Sequence, residues 1–247
     1  MSKTAIVIQC YNEYSRLKSD SFLSFLTTHA DFTIFFVDDG STDNTLSALN
    51  EIRMQNVDQI KVLSISVNKG KAESVRYGML EALKENQYEY IAFLDADLSA
   101  PFSEIEKMLN YAKEGGKKAL FGSRVKRMGA NIDRTPLRHF IGRFFSTLIG
   151  WTIQLPFYDT QCGAKIFHTS LVNISFETPF ITKWLFDVEI IMRLKSKLSS
   201  VELNDQLAEY PLSVWKEVKG SKLSWRDLYR IPIDLLKIRL SLTSESR

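Results

Sequence analysis

Tyr90-Ile91-Ala92-Phe93-Leu94-Asp95-Ala96-Asp97-Leu98-Ser99-Ala100-Pro101 is a short apolar run that stops at two acids, and a turn carrying Ser99 and Pro101 follows it. An apolar stretch of this length between polar boundaries reads as a buried strand, Tyr90–Leu94. Three runs of the same kind lie before it, Ala5–Gln9, Thr33–Val37 and Lys61–Ile65, and helical patterns at 20–29, 43–55 and 71–86 separate them. Strands that alternate with crossover helices imply an α/β fold with a mainly parallel sheet. Ligands of such sheets bind in the loops at the carboxyl ends of the strands, and here those loops carry the polar residues.

Asp95 and Asp97 stand at one such end. Hard carboxylate oxygens suit Mg²⁺ or Mn²⁺, which keep coordination places for water and substrate phosphate. The alternative is structural, with the acids capping the helix that begins after Pro101. A second acidic loop, Val37-Asp38-Asp39-Gly40-Ser41-Thr42-Asp43-Asn44-Thr45, follows the second strand. Gly40 supplies turn freedom and Ser41, Thr42 or Asp43 can cap the next helix, whereas adjacent Asp38 and Asp39 repel unless donors meet them. Asn68-Lys69-Gly70-Lys71 lacks the spacing of a Walker A loop, although a Gly turn at a helix start can offer amides to an anion. His29, His139 and His168 show no triad or metal spacing.

Beyond Pro101 a helix runs through Ala112 and ends at Gly115-Gly116, and Lys118–Gly122 reads as a strand leading to Ser123-Arg124. Leu137–Ile153 is helical, with Phe140, Phe144, Leu148 and Trp151 on one stripe, either core or a membrane-facing surface. Leu223–Leu242 repeats the pattern, with Trp225, Leu228, Tyr229, Ile233, Leu236 and Leu240 among Arg226, Arg230, Lys237 and Arg239, and suits a helix lying on anionic lipid.

The chain has 247 residues, 45% of them hydrophobic, enough for a full core, and no linker or repeat divides it. One domain is expected. Its net charge of +3 conceals an uneven distribution. Residues 1–116 carry 11 Lys/Arg against 17 Asp/Glu, residues 117–143 carry 8 against 1, and residues 210–247 carry 8 against 4. An acidic first part and basic later segments suit a protein that holds a cation in one place and phosphate or anionic lipid in another. Cys10 and Cys162 have no paired spacing, so neither zinc nor a disulfide framework is indicated, which fits a reducing cytoplasm. The sequence enters its first strand without a signal-peptide pattern, and its longest uncharged stretch, Phe144–Tyr158, is too short and polar to span a bilayer.

Tyr11-Asn12-Glu13, the VDDGSTDNT loop at 37–45, NKGK at 68–71 with VRYG at 75–78, and DADLSAP at 95–101 occur in this order. Together they resemble the family 2 glycosyltransferases, and more narrowly the dolichyl-phosphate glucosyl- and mannosyltransferases. Gly122-Ser123-Arg124 continues the match. Asp159-Thr160-Gln161-Cys162-Gly163-Ala164-Lys165, the Phe186-Asp187-Val188-Glu189 run and Gly220-Ser221-Lys222-Leu223 favour the glucosyl branch.

The resemblance implies a GT-A fold, Rossmann-like with flanking helices and C-terminal amphipathic helices, with 1–116 mainly on the nucleotide-sugar side and 117–247 on the acceptor and membrane side. It also implies inverting transfer of a hexose, glucose from UDP-glucose first and mannose from GDP-mannose second, to dolichyl or polyprenyl phosphate. A polysaccharide acceptor and a catalytically silent membrane scaffold are the competing readings. Tyr11, Asn12, Glu13, Val37, Asp39, Gly70, Lys71, Asp95 and Ala96 would contact the donor. Asp95, Asp97 and Ser99 would lie at the Mg²⁺ or Mn²⁺ ion. Arg124, Lys216 and Lys222 would meet phosphate, with Arg138 beside the lipid phosphate, and Asp97, Arg124 and Lys222 would carry catalysis. No nucleic acid is expected. Gln9 stands in place of the family's usual proline and Ala72 in place of a frequent glycine. The N-terminal membrane anchor common in the glucosyl branch is not read here, so amphipathic helices, a membrane-anchoring partner or a homo-oligomer would hold the chain peripherally at the cytoplasmic face.

Overall fold

The computed structural model describes residues 3–133, 135–218 and 225–244; the side chains of 136–141, 143–144, 225–229 and 242–244 are outside that description. The chain order begins β1 (Lys3–Cys10), α1 (Ser19–Thr28), β2 (Phe32–Asp39), α2 (Thr45–Gln55), β3 (Ile60–Ile65), α3 (Lys71–Lys84) and β4 (Tyr88–Asp95). It continues with α4 (Phe102–Gly115), β5 (Ala119–Ser123), β6 (Asn131–Asp133), α5 (Pro136–Ile153), β7 (Ala164–His168) and α6 (Thr169–Phe176). The last elements are α7 (Phe186–Lys197), α8 (Ser200–Gln206), β8 (Leu207–Pro211), β9 (Val214–Lys216) and α9 (Trp225–Ser244).

One sheet runs β3-β2-β1-β4-β7-β5-β8, drawing strands from both parts of the chain. Every described pairing in it is parallel except those of β7, which runs antiparallel to β4 and to β5. All eight residues of β2 are buried, as expected where helices cover both faces of a parallel sheet. Odd positions such as Val7, Phe35, Val37 and Phe93 enter a core shared with α3, α6 and α7. Even positions such as Ile8, Phe36 and Leu94 enter a second core under α1, α2 and α4. Gly78 sets the closeness of α3, because a Cβ there would come within 2.5 Å of Val7 Cγ1 and 2.7 Å of Val37 Cγ2.

The predicted strands and helices of the first part are present with small changes at their ends. The reversed strand β7 and helices α6 to α8 were not foreseen. Among the described side chains of α5, which exclude Phe140 and Phe144, Ile149 and Ile153 are buried, while Trp151 is 73% exposed, so the core reading fails for Trp151. On α9, Ile231, Leu235 and Ile238 face inward; of the stripe read from sequence, Ile233, Leu236 and Leu240 face outward, each more than half exposed, and the side chains of Trp225, Leu228 and Tyr229 lie outside the described residues. Among the described residues no helix is long and apolar enough to cross a membrane.

Candidate active site

Because β7 is reversed, its beginning rather than its end meets the carboxyl ends of β4 and β5. Leu94 pairs with Ala164 and Phe121 with Lys165, and β8 brings Pro211 beside Ser123. The loops after β1, β2, β3, β4, β5 and β8 and the loop before β7 therefore share one edge of the sheet.

The loop after β1 is held by the loop after β2. Asn12 has a left-handed backbone, φ 51°, which asparagine tolerates better than most residues. Its amide donates to Ser41 Oγ at 3.0 Å, and its side-chain oxygen accepts from the Thr42 amide at 2.8 Å. The Glu13 amide donates to Thr45 Oγ1 at 2.8 Å, and the Glu13 carboxylate pairs with Arg16 at 2.7 Å. Tyr11 is half-buried beside them.

Two residues expected at the nucleotide have different surroundings. Val37 is wholly buried beneath α3, so its side chain offers no surface to a base. Asp39 is also wholly buried, and its two oxygens accept the amides of Lys69 at 2.8 Å and Gly70 at 2.9 Å. The observed work of Asp39 is to fix the 67–70 turn, in which Gly70 takes φ 90°, a conformation only glycine adopts without strain.

Asp95 is more open, with about a third of its side chain accessible; Lys71 Nζ lies 2.5 Å from Oδ1. Burial works against the charged Lys71, but Asp95 foremost, then Asp187 and Asp97, hold its pKa above the ordinary lysine value. Gly163 closes the other side: its carbonyl accepts the Asp95 amide at 3.1 Å, and any Cβ on it would overlap the Asp95 carboxylate. Asp97 Oδ1 accepts from the Ser99 amide at 2.9 Å and the Ser99 hydroxyl at 2.7 Å. Ser99, expected beside the ion, orients Asp97 through these two hydrogen bonds. The Ala96 methyl is buried in the core, which leaves only its backbone to face a donor.

The second part of the chain adds two charge pairs. Lys165 is wholly buried, lies 2.8 Å from Asp187 Oδ1, donates to the Cys162 carbonyl at 2.5 Å, and sits over the rings of Phe93 and Phe121. Burial pushes the Asp187 carboxyl up against the pull of Lys165 and Lys71. Lys165, Asp187, Lys71 and Asp95 thus form an alternating series of charges from under the sheet edge to the open carboxylate. Arg124 forms a bidentate pair with Asp159 at 2.6 and 2.8 Å and stacks over Trp215 at 5.4 Å. Burial opposes its charge, yet Asp159 outweighs that and raises its pKa. The sequence reading made Arg124 a phosphate ligand; in the structure its side chain pairs with Asp159, 35 residues away. Glu209 anchors this corner by accepting the amides of Tyr158 at 2.7 Å and Asp159 at 2.6 Å.

Lys216 is exposed, and its amide donates to the Ser99 carbonyl at 2.9 Å, which joins β9 to the turn after Asp97. Arg138 lies on α5 with its side chain outside the described residues, and Lys222 lies outside them altogether. His29 pairs with Glu106 and the His168 ring caps α6, so neither enters the cleft.

The donor set fits a hard divalent cation that takes part of its shell from substrate. Among the described residues no group of three His, Cys, Asp or Glu surrounds a metal position. Asp95 and Asp97 provide part-exposed carboxylates at the end of β4, and Mg²⁺ or Mn²⁺ held by so few protein ligands is completed by phosphate and water. Soft ligation is disfavoured, since both cysteines are buried and burial pushes the Cys162 thiol up to about 11.

The profile of glycosyl transferase family 2 matches residues 5–181, which include every loop from Tyr11 to Gly163. The chain belongs to this family. A dolichyl-phosphate beta-glucosyltransferase of Trichomonas vaginalis is 32% identical over 250 residues, covering 96% of this chain and 71% of that protein. The enzyme of the same name from Saccharomyces cerevisiae is 31% identical over 258 residues, covering 96% and 74%, and the one from Homo sapiens is 28% identical with the same coverage. Glucosyl-3-phosphoglycerate synthase of Mycobacterium tuberculosis, solved with Mn²⁺, UDP and glucosyl-3-phosphoglycerate, superposes with a TM-score of 0.66 at 15% identity, covering 98% of this chain and 80% of that one. The same enzyme with Mn²⁺ and UDP-glucose gives 0.66, covering 98% and 79%. The fold is GT-A, and the chain is a glycosyltransferase.

Sequence reasoning quoted the segments holding Gly163, Lys165, Asp159 and Asp187 without giving those residues a task. An unusual signal was present: Lys165 sits second in the apolar run Ala164–Phe167, a place where a charge needs a buried partner.

Proposed function

We propose that the protein transfers glucose from UDP-glucose to dolichyl or another polyprenyl phosphate, with inversion, at the cytoplasmic face of a membrane. The observation that carries this reading is the junction of Lys216 with the turn that orients Asp97. It brings Lys216, the one basic residue of β9, to the turn that carries Asp97, which suits a reaction between two phosphate-bearing substrates. The names of the relatives support the choice of glucose and of dolichyl phosphate.

A lipid monophosphate is already anionic at neutral pH, so its oxygen needs no general base. That oxygen forms the new bond to the anomeric carbon as the bond to UDP breaks, converting an α-linked donor into a β-linked product. Asp95 and Asp97 would hold Mg²⁺ or Mn²⁺, which when bound offsets negative charge on the departing diphosphate. Lys71 keeps Asp95 in place, Ser99 keeps Asp97 in place, and the turn pinned by Asp39 frames the nucleotide with Tyr11, Asn12 and Glu13. Lys216 and Lys222 would meet the lipid phosphate, with Arg138 from α5.

Attachment falls to the outward stripe of α9, Ile233, Leu236 and Leu240, flanked by Arg230 and Lys237, with Trp151 as a further exposed apolar group. An amphipathic surface with basic flanks binds anionic lipid through apolar burial and charge together.

The test is transfer by the purified protein. Labelled UDP-glucose with polyprenyl phosphate and Mn²⁺ is expected to yield an alkali-stable, acid-labile glucosyl lipid, and EDTA to abolish it. Product from GDP-mannose but not UDP-glucose would overturn the donor. Leu236→Asp is expected to reduce co-sedimentation with vesicles containing anionic phospholipid without altering transfer to detergent-dispersed acceptor.

A further inference from the structure

The cations nearest the cleft floor are already matched: Lys71 with Asp95, Lys165 with Asp187, and Arg124 with Asp159. Lys18 donates to the Asp97 carbonyl at 3.3 Å. A substrate phosphate arriving above Asp95 and Asp97 therefore meets a largely neutralised or acidic floor, and additional positive charge has to come from the rim.

Besides Lys216, the described rim includes the segment between α6 and α7, residues 177–185. This surface strap is held with unusual thoroughness. The Phe180 amide donates to Glu73 at 2.8 Å and the Ile181 amide to Glu189 at 3.0 Å. Arg193 donates to the carbonyls of Ser175 at 3.0 Å, Thr178 at 2.9 Å and Pro179 at 2.8 Å, and pairs with Glu189 at 2.6 Å. Glu189 and Arg193 are both buried. Burying an ion pair carries a desolvation penalty, so its use to fix an exposed strap points to a strap whose position matters.

At the end of that pinned stretch stands Lys183. Its side chain is exposed and is given no ion pair among the described residues, and its Cδ lies 4.0 Å from where a Cβ on Gly70 would stand. Gly70 immediately precedes Lys71, so Lys183 lies against the turn from which Lys71 reaches Asp95. Exposed Lys69 is on the same turn, and its amide is one of the two held by Asp39.

We propose that Lys183 is a substrate-binding residue whose ammonium meets a phosphate oxygen at the rim of the cleft. The proposal rests on the glycosyl-transfer reading above. The phosphate belongs either to the nucleoside diphosphate or to the lipid. A flexible lysine on a rigid strap suits both, since its reach adjusts while its origin is fixed.

The experiment compares wild type, Lys183→Ala, Lys183→Arg and, as a surface control, Lys84→Ala, by calorimetric titration with UDP and Mn²⁺ and by transfer kinetics with polyprenyl phosphate. All four are expected to melt alike. Loss of one charge-assisted contact at a solvent-exposed rim weakens affinity about tenfold. If the donor phosphate is the ligand, Lys183→Ala raises the Kd for UDP but not that for uridine. If the lipid phosphate is the ligand, the KM for polyprenyl phosphate rises while the Kd for UDP stays put. Lys183→Arg stays near wild type in either case. A folded Lys183→Ala that matches Lys84→Ala and wild type in both constants overturns this proposal alone. Wild-type protein that binds neither UDP nor polyprenyl phosphate overturns the transfer reading and this proposal with it.

Discussion

Two strand ends in this protein carry a pair of aspartates, Asp38-Asp39 closing β2 and Asp95-Ala96-Asp97 where β4 ends, and the fold puts them to opposite uses. Asp39 is wholly buried and accepts two backbone amides from the neighbouring turn. Asp95 and Asp97 keep part of their surface, and each has one oxygen engaged by a side chain, Lys71 or Ser99. A carboxylate enclosed by amides organises the protein. One left with open oxygens at a sheet edge is available to substrate.

The sharpest way to break this contrast is to exchange the losses. Asp97→Ala is expected to lower transfer by about 10²–10³-fold, the scale seen when a preorganised charge-stabilising group is lost. Its melting temperature should be unchanged, and calorimetry alongside turnover checks both halves of the statement. Asp39→Ala leaves two amides unpaired in a buried place and is expected to cost about 3 kcal/mol of stability in urea unfolding, with donor affinity falling as the turn loosens. If Asp39→Ala were inactive yet as stable as wild type, the distinction between the two ends would collapse.

Gly163→Ala adds a methyl where the Asp95 carboxylate lies. Overpacking of this kind costs about 1–3 kcal/mol. The loss of turnover should exceed what unfolding explains, measured as kcat at a temperature where the variant is folded.

The smallest effect concerns pH. Lys71 is held above its ordinary value of 10.5, so the Lys71–Asp95 contribution is whole below that pH and disappears only as pH climbs through the still higher folded value. Because the pair is about a third exposed, wild type should exceed Lys71→Met by only about 0.2–1 kcal/mol. Urea unfolding across alkaline pH should show that gap constant at first and closing above 10.5.

Much of the fold was legible because β1, β2 and β4 are covered on both faces, so nearly uninterrupted apolar runs announce them. The strand β7 was not, since Ala164–His168 is short and contains a lysine whose partner, Asp187, lies on another element. Within the site, the Asp95-Ala96-Asp97 turn stands out by its place at a strand end. What the residue types could not reveal was enclosure. Nothing in Val37-Asp38-Asp39 says that the valine goes under α3 or that the second acid takes two amides from thirty residues away. The same holds for Arg124, whose chemistry suggests phosphate until Asp159 is found against it.

The excursion from Arg124 to Gly163 leaves the sheet edge and returns to it, and Asp159 clasps its beginning near its end. Within it β6 pairs with β9 and α5 sends Ile149 and Ile153 into the core, so a change of length is tolerated best in the largely exposed connection 125–130, where closing a longer loop raises the entropic cost only slowly. The reversed strand acts as a socket: a change in that connection leaves Asp95 registered against Gly163.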